Sequence, residues 1–299
     1  MHSTHKVQTS HDPAQARRKL SFAIWLTATV MFVELAGGWW ANSLSLLSDA
    51  GHMLTDLLAL GMAMFAVTMA CRPAPPAKTY GYYRIEILAA LSNGAILVAL
   101  CLLIFYEGIR RLFAPQPVDS DVVLLVAGIG LIANLIGMWL LSRSGSLNVK
   151  AARLHVTGDA LSSAGVLAGG AVISFTSWYW IDSAVSFVIG LVVLWGAFHI
   201  LKETVDVLLE ATPSGLHPAD VCRAIEQVPG ITGVHDLHIW SITSGMTALS
   251  GHVILDADSH PLSDEALNRI KEMLRVRFSI EHTTIQIESQ SYTEVGEVH

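Results

Sequence analysis

SLLSDAGHMLTDLLALGMAMFAVTMA, residues 45–70, decides how this chain must be read. As a helix it is long enough to cross a hydrocarbon core of about 30 Å, which takes roughly 20 residues. It contains no Lys or Arg, yet it carries Asp49, His52 and Asp56. An ionisable group at that depth is costly unless paired, neutralised or hydrated, so each of the three is a functional candidate.

His52 and Asp56 are four residues apart, which puts them on one helix face about 6 Å apart along the axis. The same spacing recurs at His155 and Asp159 in a second apolar stretch. Two such helices facing each other bring two imidazoles and two carboxylates to one point, the ligand number and type of a tetrahedral zinc site. Either pair alone reads more readily as a proton relay or a helix-pairing device than as a metal site. Two copies favour a metal, because an empty cluster buries two carboxylates against each other with little compensation. Asp49, one turn before His52, reads equally as a cap or supporting hydrogen bond and as a participant in admitting the metal.

Outward from this run, apolar stretches at about 20–40, 86–108, 121–142, 154–175 and 179–201 predict five further spans. The composition agrees: of 299 residues, 52% are hydrophobic and only 14% charged, with mean hydropathy +0.50, which does not describe a soluble enzyme. Six spans put both termini on one side. Residues 1–19 read as a polar leader with His2, His5 and His11 and without a cleavable signal core. Lys6, Arg17, Arg18 and Lys19, then Arg72, Lys78 and Arg84, then Arg143, Lys150 and Arg153 mark alternate loops as cytoplasmic, with Arg110 and Arg111 dissenting after the third span. Both termini are therefore expected in the cytoplasm.

Glu34, Glu86, Asn93, Asn134 and Asp182 also lie in or beside spans and read as packing or hydrogen-bonding groups rather than ligands. Gly158, Ser162, Ser163, Gly165, Gly169 and Gly170 permit close helix approach in the last two spans. His199 reads as interfacial. Cys71, Cys101 and Cys222 are too scattered for a metal or redox motif.

After residue 207 the pattern becomes that of a soluble domain, and it holds the whole negative balance: 13 acidic and 5 basic residues. Such a tail disfavours nucleic acid and gathers cations. A helix from Pro218, apolar stretches at 231–241 and 247–256, a helix over 262–277 and an alternating strand at 282–289 predict αββαβ, with two helices on one face of a three-stranded sheet. The domain plan is a leader to 19, a transport domain over 20–207, a cytoplasmic domain over 208–290 and a tail over 291–299. His235, His238, His252, His260 and His282 fall in the soluble part and read either as surface residues or as metal ligands.

NSLSLLSDAGHMLTD at 42–56, YGYYRIEILAALSN at 80–93, HVTGDALSSAGV at 155–166 and GVHDLHIWSIT at 233–243 resemble, in order, the zinc-transporting branch of the cation diffusion facilitator family. The resemblance implies a membrane all-α six-helix domain with a small ferredoxin-like α+β cytoplasmic domain. It also implies a homodimer in which each protomer has its own transport site. By position, the transport ligands are His52, Asp56, His155 and Asp159, and the cytoplasmic ligands are His235, His252 and Glu288, with His282 as a further candidate. Gln286 stands where some members have a second histidine, which leaves the number of cytoplasmic metals open. His52 tilts the expected cargo toward zinc, with cadmium or cobalt as further candidates. The short leader and absent His-rich loop are similar to bacterial members, implying metal export across the inner membrane.

Function then follows as an expectation. Metal binds from the cytoplasm, the bundle rocks, and protons that displace the metal return, giving proton-coupled antiport by alternating access. An intramembrane metalloenzyme is the main rival, but four ligands leave no open position and no His-Glu-x-x-His is present. A membrane metal sensor is the other, and flux rather than binding separates it.

Overall fold

The computed structural model describes residues 13–141, 147–256 and 263–290. His2, His5, His11, Arg143, His260 and the tail from 291 lie outside the described residues, as do the side chains of Arg17, Arg18, Lys19 and Lys150. Six helices come first: α1 Pro13–Ala41, α2 Leu44–Ala70, α3 Ile85–Phe113, α4 Ser120–Leu141, α5 Leu147–Thr176 and α6 Trp180–Leu208. All six are long and apolar enough to span a membrane. Most run beyond the apolar stretches because polar ends stay helical. Arg110 and Arg111, expected after the third span, form its last turn and pair with Glu107.

The chain divides into two compact units, residues 1–61 with 93–198, and residues 62–92 with 199–299. In the first, Leu46, Val123, Ala127 and Val166 join helices α2, α4 and α5 in one apolar core. Glycine governs two of its close approaches: a Cβ at Gly37 would meet Val126 Cγ2 at 2.5 Å, and one at Gly170 would meet Val123 Cγ1 at 2.9 Å. Gly158 and Gly165, expected to serve likewise, have open space beside them. Apolar rings remain outside, as lipid contact requires. Trp39, Trp40, Phe113, Phe175, Trp178 and Trp180 are exposed at the α1–α2, α3–α4 and α5–α6 ends, the pattern of an interfacial aromatic belt.

Asp182 organises the start of α2. It is buried at 2% exposure, and its carboxylate accepts from Ser43 Oγ at 2.7 Å, Ser45 Oγ at 2.6 Å, Leu44 N at 2.5 Å and Ser45 N at 3.3 Å. These donors include backbone N–H groups that a helix N-terminus leaves unsatisfied, and the negative charge complements the helix dipole. The two-residue turn before α2 is held from α3: Asn42 takes φ 53, and Arg111 donates to its carbonyl at 2.6 Å and to its Oδ1 at 2.9 Å.

In the second unit, α7 Pro218–Glu226, β1 Ile231–Thr243, β2 Met246–Leu255, α8 Ser263–Phe278 and β3 His282–Ser289 follow in the expected αββαβ order. β1 and β2 form an antiparallel hairpin around Ser244 and Gly245, the latter at φ 75. β3 joins β2 in parallel, so α8 serves as the crossover. One sheet face, with Ile239, Leu249 and Val253, packs on Val221 and Ile225 of α7 and Ile270 and Leu274 of α8. In the same unit Thr243 donates to Glu86 at 2.7 Å and Arg84 pairs with Glu210 at 2.9 Å.

Replacing Asp182 with Ala strands its four donors in the bundle. The variant is expected to lose about 2–4 kcal/mol of stability, read as a lower thermal midpoint in detergent; an unchanged midpoint contradicts this role.

Candidate metal centres

The helical spacing delivers the first cluster as the sequence required. His52 Nε2 lies 3.4 Å from Asp56 Oδ2, His155 Nε2 lies 3.6 Å from the same oxygen, and His155 Nε2 is 3.7 Å from Asp159 Oδ2. The two imidazole rings stand edge to face with centroids 6.4 Å apart. Tetrahedral bonds of 2.0–2.1 Å imply ligand-to-ligand distances of about 3.3 Å. The observed separations match that distance or exceed it by up to about 0.4 Å, and none of the three pairs forms a hydrogen bond. Asp56 Oδ2 and Asp159 Oδ2 are buried without a hydrogen-bond partner, as is His52 Nδ1. The two oxygens face imidazole nitrogens across a gap that a small cation fits. Exposure is graded, from 41% at the His155 side chain to 2% at Asp159.

A second cluster lies on the sheet face away from α7 and α8. His235 on β1 sits opposite His252 on β2, which sits opposite Gln286 on β3, and Glu288 is two residues beyond. Alternation therefore puts all four on one face. His235 Nε2 is 3.0 Å from Glu288 Oε2, His252 Nδ1 is 2.9 Å from Glu288 Oε1, and the two rings are 5.0 Å apart. Ligand atoms of His235, His252 and Glu288 lie within 4.8 Å of one another, close enough for one ion. Gln286 Nε2 donates to Glu288 at 2.8 Å. Burial alone pushes the Glu288 carboxyl up, but the bonds from His235 and Gln286 and the two imidazole charges hold it below its ordinary value.

Residues 20–209 match the family described as cation efflux transmembrane domain, and residues 213–290 match the cation efflux protein, cytoplasmic domain. The chain belongs to the cation efflux, or cation diffusion facilitator, family. It is similar to the metal cation efflux system protein CzcD of Cupriavidus metallidurans, 46% identical over 93% of this chain and 89% of that one. It is likewise similar to a cadmium, cobalt and zinc/H(+)-K(+) antiporter of Bacillus subtilis, 38% identical over 95% and 92%. The zinc transporter ZitB of Escherichia coli is 38% identical over 97% and 93%. The protein is thus a divalent metal cation efflux transporter and not an enzyme.

Within this efflux protein, His282 does not join the second cluster. It opens β3, exposed, six residues before Glu288, a separation of about 20 Å along a strand. Asp236 is a neighbour that sequence reading passed over. At φ 48 it sits in a bulge between His235 and His238, with Oδ1 2.9 Å from His238 Nε2 and Oδ2 3.9 Å from His252 Nε2. Asp49 is buried at 1% exposure, and neither of its oxygens has a hydrogen-bond partner, so it does not serve as a helix cap. Glu34, read as a packing residue, is wholly buried with both oxygens unpartnered. No local spacing signalled that, because Glu34 is alone on α1.

Proposed function

We propose that this efflux protein exports zinc by proton-coupled antiport, with His52, Asp56, His155 and Asp159 as the transport ligands. The observation that carries the reading is the set of three imidazole–carboxylate separations between 3.4 and 3.7 Å, closed around unpartnered Asp56 and Asp159 oxygens. Two nitrogens and two oxygens suit zinc, and cadmium or cobalt accept the same donors. Relatives named for zinc transport and for cadmium, cobalt and zinc exchange against protons support the same cargo and coupling.

The chemistry supplies the coupling. Imidazole and carboxylate bind metal only when deprotonated, so protons and zinc compete for the same atoms. Metal taken from the cytoplasm is held by the two His/Asp pairs, and protonation on the far side displaces it as the bundle rocks. The protein acts as a homodimer in a bacterial inner membrane, with both termini cytoplasmic and the transport domain over residues 20–207. In the cytoplasmic domain over 208–290, His235, His252 and Glu288 hold a further ion, with His282 left outside each protomer's set.

The test is zinc flux into proteoliposomes with and without an imposed pH gradient. Outer-layer changes around bound metals cost 10–100-fold, so loss of a direct ligand in Asp159→Ala should lower flux by at least about 100-fold. Flux equal to the intact protein would reject the site, flux indifferent to the gradient would reject antiport, and binding without flux would favour the sensor reading. For the cytoplasmic ion, Glu288→Gln should lower the equilibrium count by one zinc per protomer while the membrane ion stays. An unchanged count would remove Glu288 from the ligand set.

A further inference from the structure

Two carboxyl groups beside the α2–α5 pair are not used by the proposed four-ligand site. Glu34 of α1 and Asp49 of α2 are 0% and 1% exposed. Their carboxyl groups come within hydrogen-bonding reach of each other, with Asp159 and the Ser162 and Ser163 hydroxyls alongside. None of their four oxygens meets a donor at ordinary hydrogen-bond geometry. Among the described residues, no Lys or Arg forms an ion pair with either group. Gly130 leaves the space that the Glu34 carboxyl group occupies, since a Cβ there would lie 2.5 Å from Glu34 Oε1 and 3.4 Å from Ser163 Oγ. Asn134 Nδ2 donates to that same Ser163 oxygen at 3.4 Å, which leaves the hydroxyl proton free to turn toward the carboxyl groups.

Two facing carboxylates at membrane depth need a counter-charge. A shared proton cancels only one of the two negative charges, and the neighbouring serine hydroxyls cancel none. A divalent cation can engage all four oxygens together with the hydroxyls, in the oxygen-only shell that hard cations take. We propose that Glu34 and Asp49 form a second divalent-cation subsite that exchanges the transported ion with the four-ligand site, with Asp159 serving both. This rests on the transport-site reading above. Asp49 precedes His52 by three residues, or about 4.5 Å along α2 toward its first residue. With both termini cytoplasmic, that is the release side. Passage from a nitrogen-and-oxygen site to an oxygen-only one weakens the hold on a zinc-like ion and thereby favours release.

The test counts cobalt(II) bound to the full-length protein in lipid nanodiscs by equilibrium dialysis, in a His235→Ala/His252→Ala background that empties the cytoplasmic cluster. Visible absorption separates four-coordinate cobalt, with intense bands, from oxygen-ligated six-coordinate cobalt, with weak ones. Glu34→Gln/Asp49→Asn, which keeps shape and removes charge, should lose one cobalt per protomer and keep the intense bands. His52→Ala/Asp56→Ala should lose the intense bands and keep one weakly absorbing ion, an independent reading should the first variant fail to fold. An unchanged count and affinity in Glu34→Gln/Asp49→Asn overturns the subsite, as does a His52→Ala/Asp56→Ala protein that binds no cobalt. Intense bands that survive His52→Ala/Asp56→Ala would instead reject the four-ligand site, a distinguishable failure because the count in Glu34→Gln/Asp49→Asn would still fall by one.

Discussion

A carboxylate at membrane depth must find a donor, a cation or a proton, and the acidic side chains of the bundle divide according to which they find. Asp182 finds donors, two hydroxyls and two backbone N–H groups at the start of α2, and becomes structural. Glu107 finds Arg110 and Arg111 at the end of α3, where Arg111 also braces the turn into α2. Asp56 and Asp159 face imidazole nitrogens without a hydrogen bond to them. Glu34 and Asp49 lie beside each other and two serine hydroxyls, and none of their oxygens has a hydrogen-bond partner.

That division separates framework from function. The groups with complete partners hold the ends of helices, where a fixed geometry is useful. The groups without them collect between α1, α2 and α5, where an ion could be exchanged. Asp182 and the Arg111–Asn42 contacts fix the start of α2. Helical periodicity then carries His52 and Asp56 to the face they share, so the position of the site depends on the cap about two turns earlier.

Legibility in the sequence tracked the range of the interaction. The i, i+4 pairs were readable because a helix alone determines which face they share. The αββαβ order was readable because Ile285 and Ile287 alternate with Gln286 and Glu288, and the same alternation aligned His252 with Gln286 on one face. Contacts across the bundle were not. The sequence marked Asp182 as a hydrogen-bonding group, but its partners lie 137 to 139 residues away. Glu34 and Asp49 meet because of how α1 and α2 are rotated, which no local pattern encodes. The bulge at Asp236 also escaped, since an extra residue in a strand leaves hydropathy unchanged while returning His238 to the face of His235. His282 shares that face by alternation, but distance along the strand keeps it from Glu288.

The central claim is that the two His/Asp pairs jointly hold the transported cation. Zinc-edge X-ray absorption of the full-length His235→Ala/His252→Ala protein, loaded with one zinc per protomer, tests it most directly. The account predicts a four-coordinate nitrogen-and-oxygen shell at about 2.0–2.1 Å with the outer scattering of two imidazoles. A shell of oxygens without imidazole scattering would contradict it.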